Sequence, residues 1–152
     1  MKKLIKKFDL AIINWLQTLE VPLARIAIFT VYVWFGSLKL FGVSPAAPLV
    51  QSLFERTIHF MPFSVFYALF SLFEVIIGLL FLIRGMERTA IFLLGLHLIT
   101  TVMPLVFLPE ITWQAFLAPT LEGQYIIKNI LIAASAVVVG SRVVAYGARN
   151  KT

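Results

Sequence analysis

The chain has 152 residues, of which 61 % are hydrophobic and only 13 % charged, with a mean hydropathy of +0.96 and a formal net charge of +6. A soluble domain carries about 25 % charged residues, so a soluble globular fold is excluded. The absence of cysteine removes thiol–disulfide redox chemistry, thiolate metal sites and a cysteine nucleophile.

Residues 1–21 start with lysines and continue with apolar residues, but Asp9, Asn14, Gln17 and Glu20 interrupt the run and no small-residue cleavage site follows. This is not a signal peptide. At about 100° per residue, Leu4, Ile5, Phe8, Ile12, Trp15, Leu16 and Leu19 share one face, while Lys3, Lys6, Lys7, Asn14, Gln17 and Thr18 lie opposite. The pattern predicts an amphipathic helix in the headgroup layer, its lysines on anionic lipid, broken at Pro22.

Four long apolar runs follow, at 22–42, 62–83, 89–108 and 125–145. Each holds about twenty residues, enough to cross a hydrocarbon layer of about 30 Å at about 1.5 Å per helical residue. They use up more than half the chain and leave no room for a second domain. The expected fold is all-α: residues 22–152 form a polytopic membrane four-helix bundle, preceded by the N-terminal interfacial helix.

Between the first two spans, Val50, Leu53, Phe54 and Ile58 predict a short interfacial helix on the outer surface. Residues 84–88 read as a tight turn containing Gly85. Residues 109–124 read as an outer loop, with Trp113 as an interface anchor and Thr120 as the N-cap of span four. In that span Asn129, Ala133, Ala136 and Gly140 share a face, which predicts a tight interior packing surface.

With the N-terminus in the cytoplasm, Lys2, Lys3, Lys6, Lys7, Arg25, Arg84, Arg88, Arg142, Arg149 and Lys151 fall on that side. Lys39, Arg56 and Lys128 fall on the other. This asymmetry predicts that both termini are cytoplasmic, and the expected location is a bacterial inner membrane. The basic balance is a topology signal, so no nucleic-acid partner is expected; the lipid bilayer is.

The chemistry has to lie in the few polar residues inside the runs. A carboxylate at the centre of a span, such as Glu74, costs roughly 2.5–3.5 kcal/mol. The Val, Ile, Leu and Phe residues of that span return roughly 5–9 kcal/mol on the same scale. The span inserts regardless, and something must make the acid tolerable. Tyr67, Ser71, Glu74 and Gly78 lie on one helical face. Arg25, Tyr32, Gly36 and Lys39 share a face of span one, and His97, Thr100, Thr101 and Pro104 mark span three. Such stripes turn inward.

Counted from the cytoplasmic ends at about 1.5 Å per residue, Tyr32, Glu74 and His97 all lie roughly 12–15 Å deep. They predict a mid-membrane layer of acid, imidazole and phenol, suited to proton handling or to hydrogen bonding a quinone carbonyl. The bland reading of the same residues is a buried pair that fixes helix packing. Lys39 and Lys128 near the outer ends of spans one and four either extend the set, with Glu122, Glu110 or Glu55 as expected counter-charges, or snorkel to the interface. Asn129 points with the small face, and Arg25 is expected to be an interfacial anchor. The two histidines, His59 and His97, are too far apart in depth to share an iron, so no metal site is expected.

Phe35-Gly36-Ser37-Leu38-Lys39-Leu40 after an early Arg25 carries a resemblance to a known family. So do Glu74-Val75-Ile76-Ile77-Gly78-Leu79-Leu80 before a Gly-containing turn with Arg88, and Leu121-Glu122-Gly123-Gln124-Tyr125 before Lys128-Asn129. Over residues 22–145 the chain resembles the DoxX-like family of small four-helix membrane proteins. The resemblance implies four transmembrane helices. Some members are subunits of quinone-reducing oxidoreductases, notably thiosulfate:quinone oxidoreductase, and many have no assigned activity. It also implies Lys39, Glu74, Lys128 and Asn129 as motif positions; His97 comes from depth alone. The N-terminal amphipathic helix is an addition to the family pattern. The expected function is a quinone-binding component of a membrane oxidoreductase, with a redox partner protein or a homo-oligomer. The alternative is a non-enzymatic membrane subunit or assembly factor whose buried polar residues specify packing.

Overall fold

The computed structural model describes residues 2–143, with side chains from residue 5 onward. The end of span four at 144–145, Arg149 and Lys151, and the side chains of Lys2, Lys3 and Leu4 therefore lie outside the described residues. Most of the described residues are helical, and among them sheet is confined to one small hairpin, so the fold is all-α. Four stretches are long and apolar enough to cross a membrane: Ile5–Leu40, Phe63–Leu80, Glu87–Phe107 and Leu121–Ser141.

Helix α1, Lys2–Leu40, runs for 39 residues with Pro22 inside it. The expected break at Pro22 is absent. Proline removes one backbone donor, from the bond to the Thr18 carbonyl, but its fixed φ is helical. Thr18 closes a run of exposed residues, where a carbonyl without a partner can be solvated. The amphipathic segment and the first span are thus one rod of about 58 Å at about 1.5 Å per residue. Residues 5–18 stand clear of the bundle, leaving Phe8 and Trp15 exposed. Farther on, the buried positions Ala24, Ile28, Tyr32, Gly36 and Lys39 recur every third or fourth residue, as one face of a helix must.

Gly42 has φ +70°, a left-handed conformation that suits glycine just past a helix end. Then α2, Ala47–Thr57, forms the expected short helix and buries Phe54. Helix α3, Phe63–Leu80, returns across the bundle with Ser71, Glu74, Ile77 and Gly78 buried. A turn at Gly85, φ +91°, leads to α4, Glu87–Val102. Pro104 opens a one-turn continuation, α5, Pro104–Phe107, followed by α6, Pro109–Thr112.

The expected outer loop is more ordered than its composition suggests. Strands β1, Trp113–Ala115, and β2, Ala118–Pro119, form an antiparallel hairpin with Leu117 at positive φ. Trp113 is half-buried and its indole N–H donates to the Leu105 carbonyl (3.0 Å). Helix α7, Leu121–Lys128, starts four residues before the expected span, because Thr120 caps it by accepting from Gly123 N–H (3.2 Å). Asn129 then separates α7 from α8, Ile130–Ser141.

In the bundle α1 packs on α3 and α8, and α4 packs on α3 and α8, a ring in which each span touches its sequence neighbours. Glu20 and Arg142 form an ion pair, so the lower part of α1 and the end of α8 sit at the same end of the molecule. We call this the terminus end; α2 and the hairpin form the loop end.

Candidate functional site

The closest helix contact is between α1 and α3, and two glycines make it. A Cβ on Gly36 would stand 2.8 Å from Val75 Cγ2 and 3.1 Å from the Ser71 carbonyl oxygen. One on Gly78 would stand 2.8 Å from Val33 Cγ2 and 3.0 Å from Tyr32 Cβ. Each glycine receives the other helix's bulk, which lets the backbones approach. This contact sets Lys39, at the last turn of α1, against Glu74 in α3.

Glu74 is 5 % exposed and its Oε1 is the hub. Lys39 Nζ donates to it, and His97 Nε2 lies 2.9 Å away. A carboxylate only accepts, so Nε2 carries a proton, and in the neutral imidazole Nδ1 is left as an acceptor. Tyr32 Oη, 3.0 Å from Nδ1, is placed to donate to it, and Thr101 Oγ1 lies 3.2 Å from the same nitrogen. The chain Lys39–Glu74–His97–Tyr32 thus joins three helices. Its two full charges cancel, which is the condition for keeping ions out of water.

The Phe70 ring stacks on the His97 imidazole, with centroids 5.1 Å apart and planes at 20°. The Lys39 ammonium sits 5.0 Å from the same ring's centroid, on the electron-rich face of the π-system. Phe70 was not among the residues the sequence singled out. A signal existed: it lies one helical turn before Glu74, on the same face. Thr101, one turn after His97, likewise belonged to a recognised stripe but was not read as part of the site.

Two oxygens stand out. Glu74 Oε2 is sealed from solvent with no hydrogen-bond partner, and so is Tyr67 Oη. Tyr67 lies within electrostatic reach of Glu74, and its hydroxyl comes close to the Ser44 side chain without a hydrogen bond of good geometry. An unsatisfied buried acceptor on a carboxylate is costly and calls for a donor.

Lys128 and Asn129 are not brought to this cluster. Lys128 is exposed, with Nζ 5.3 Å from the Tyr125 ring centroid. Asn129 Nδ2 donates to the Tyr125 and Ile126 carbonyls (3.3 and 3.2 Å), serving the helix end that it interrupts. The expected counter-charges differ as well. Lys39 pairs with Glu74, whereas Glu110 takes Arg56 (2.7 Å) and Glu55 accepts from Gln51 (2.8 Å). Arg25 does more than anchor: it pairs with Glu87 and reaches the Phe81 carbonyl (3.4 Å), tying α1 to the turn between α3 and α4. His59 is exposed in the loop after α2, and among the described residues no three His, Asp or Glu side chains converge.

The small-residue face of α8 also behaves differently from expectation. Ala133, Ala136 and Gly140 line an open apolar groove of about 460 Å³ with Ile91, Leu94 and Gly95 of α4. On the α4 side the groove is lined by Ile91, Leu94, Gly95 and Leu98, and no α8 side chain comes within 4 Å of where a Cβ on Gly95 would stand.

Set against known proteins, the chain matches no family model, no curated protein and no solved structure.

Proposed function

We propose that this chain is a membrane subunit of the DoxX-like kind that binds the polar head of a quinone at the Lys39–Glu74–His97–Tyr32 cluster and handles protons there. One observation carries the reading: side chains from two helices converge on Oε1 of a buried glutamate on a third, whose Oε2 has no donor. A quinone is a two-electron, two-proton acceptor, and the electrons would come from a redox group on a partner protein. Lys39, whose ammonium has two N–H donors beyond the one it gives Glu74, supplies a donor for a carbonyl oxygen. Glu74 Oε2 supplies the acceptor that a hydroxyl needs. Tyr32 steadies the imidazole at Nδ1, so that Nε2 faces the carboxylate.

Gentle purification followed by lipid extraction tests this. Wild-type protein should carry stoichiometric quinone, and Glu74→Gln should lose it while remaining folded. Absence of quinone in the wild type, together with normal folding of Glu74→Gln and Glu74→Leu, would remove the role.

A structural role has its own support in the reciprocal Gly36 and Gly78 contacts and in the cancelling charges of Lys39 and Glu74. On that reading the cluster selects which helices face each other. Replacing Lys39, Glu74 and His97 together by apolar residues of similar size would then leave partner assembly intact; under the quinone reading it abolishes binding.

A further inference from the structure

The polar cluster sits between two unlike layers. Toward the terminus end the next inward residues are Ile28 of α1, Ile77 and Phe81 of α3, and Leu94 of α4, all 0–1 % exposed. They belong to one continuous apolar core with Ala90 and Val139. Beneath it the Arg25–Glu87 pair closes the turn between α3 and α4. The same apolar cluster takes in Ala24, Ala136 and, at its border with the polar site, the ring of Tyr32.

Toward the loop end the inward residues are polar or aromatic. Lys39 keeps 9 % exposure and stands one residue from the end of α1. Ser71 donates to the Tyr67 carbonyl (2.5 Å), Thr101 donates to the His97 carbonyl (2.9 Å), and the partnerless Tyr67 hydroxyl faces the neighbourhood of Ser44. Above them Phe54 of α2 packs on Phe63 and Phe66, with ring centroids 5.5 and 4.9 Å apart. Phe66 stacks on Phe70 (5.6 Å), and Phe70 on His97 (5.1 Å). Ring–ring contacts therefore link α2 to the imidazole.

We infer that the cluster is reached from the loop side of the membrane alone, with α2 as its cover and the Ile28–Ile77–Phe81–Leu94 layer as a permanent seal on the terminus side. A proton or a polar ligand crossing four close-packed apolar side chains would lose its hydrogen bonds without replacement, whereas the loop-side route offers an oxygen at each step. The ionisable and phenolic groups facing the site are Tyr32 and Lys39 from α1, Glu74 and Tyr67 from α3, and His97 from α4; Glu55 and Arg56 of α2 point outward. The inference deepens the quinone reading by giving it a side: protons taken up or released at Glu74 and His97 come from the loop side and are not carried across.

The natural chain has no cysteine, so single-cysteine variants report access without background. Sealed vesicles of both orientations would be treated with a charged, membrane-impermeant methanethiosulfonate. Phe116→Cys at the hairpin tip and Arg84→Cys at the opposite turn mark the two sides. Ser44→Cys, Tyr67→Cys and Thr101→Cys should label from the Phe116 side and not from the Arg84 side. Ile28→Cys and Leu94→Cys should label from neither. Labelling of Ile28→Cys or Leu94→Cys, labelling of the polar positions from the Arg84 side, or no labelling of them at all would overturn the inference. Wild-type proteoliposomes under a pH gradient give a second reading that needs no substitution: proton flux should equal that of empty liposomes. Flux above that level, lost in Glu74→Gln, would also overturn it. Neither measurement requires bound quinone, so a failed lipid extraction and a failed access test are separable outcomes.

Discussion

The α1–α3 contact and the α4–α8 contact both contain small residues at helical spacing, yet one is closed and the other open. On α1 and α3 the glycines are reciprocal: Gly36 takes Val75 and the Ser71 backbone, and Gly78 takes Val33 and Tyr32. On α4 and α8 the glycines are not reciprocal. A Cβ on Gly95 would meet nothing within 4 Å, and one on Gly140 would meet only the flexible end of Ile91 at 3.2 Å. Small residues permit close approach; a bulky counterpart from the facing helix is what uses it. The polar cluster lies against the closed contact, where its geometry is held, and the open groove is apolar.

The comparison can be broken most severely at the charge pair. Glu74→Leu leaves the Lys39 ammonium buried without a counter-charge and should cost about 3–5 kcal/mol. Thermal unfolding in detergent would read this, and the double variant Lys39→Met/Glu74→Leu should recover most of the loss. If the single and double variants unfold alike, the pair is not what stabilises the contact.

The glycines give the next largest effect and the sharpest contrast. Gly36→Ala and Gly78→Ala put a Cβ 2.8 Å from a valine methyl and should each cost about 1–3 kcal/mol through overpacking. Gly95→Ala, the same change in the open groove, should stabilise by about 0.5–1 kcal/mol, because alanine is the better helix former. Equal destabilisation at all three positions would remove the distinction between the two interfaces. The smallest effect is expected at the exposed Arg56–Glu110 pair between α2 and α6. There Arg56→Ala should change stability by less than about 1 kcal/mol, measured by the same melt.

Much of the bundle was legible in the residues. Runs of about twenty apolar side chains must cross or leave the bilayer, and the stripes on spans one, two and three point inward because lipid offers polar groups no partner, except at Thr100, which is exposed and bonds back to the His97 carbonyl. Depth counting brought Tyr32, Glu74 and His97 to a common level, and these three do touch. The errors came where local chemistry competes. Pro22 read as a stop, but in an exposed rod one missing hydrogen bond does not end a helix. Asn129 read as interior, but its amide serves carbonyls one turn back. Lys128 and Lys39 looked equivalent from the sequence, and only Lys39 turns toward an acid.

From the amino-acid order alone came the number of spans, the short helix of α2, the cap at Thr120 and the residues able to carry charge into the bilayer. These depend on one segment and its solvent, and hydrophobicity and hydrogen-bond satisfaction act within a single helix. Which stripe meets which, whether small faces clasp or gape, and that Oε1 of Glu74 is shared while Oε2 is left over depend on the relative rotation of four helices. No single segment encodes that rotation, and the pairwise fit of their surfaces decides it.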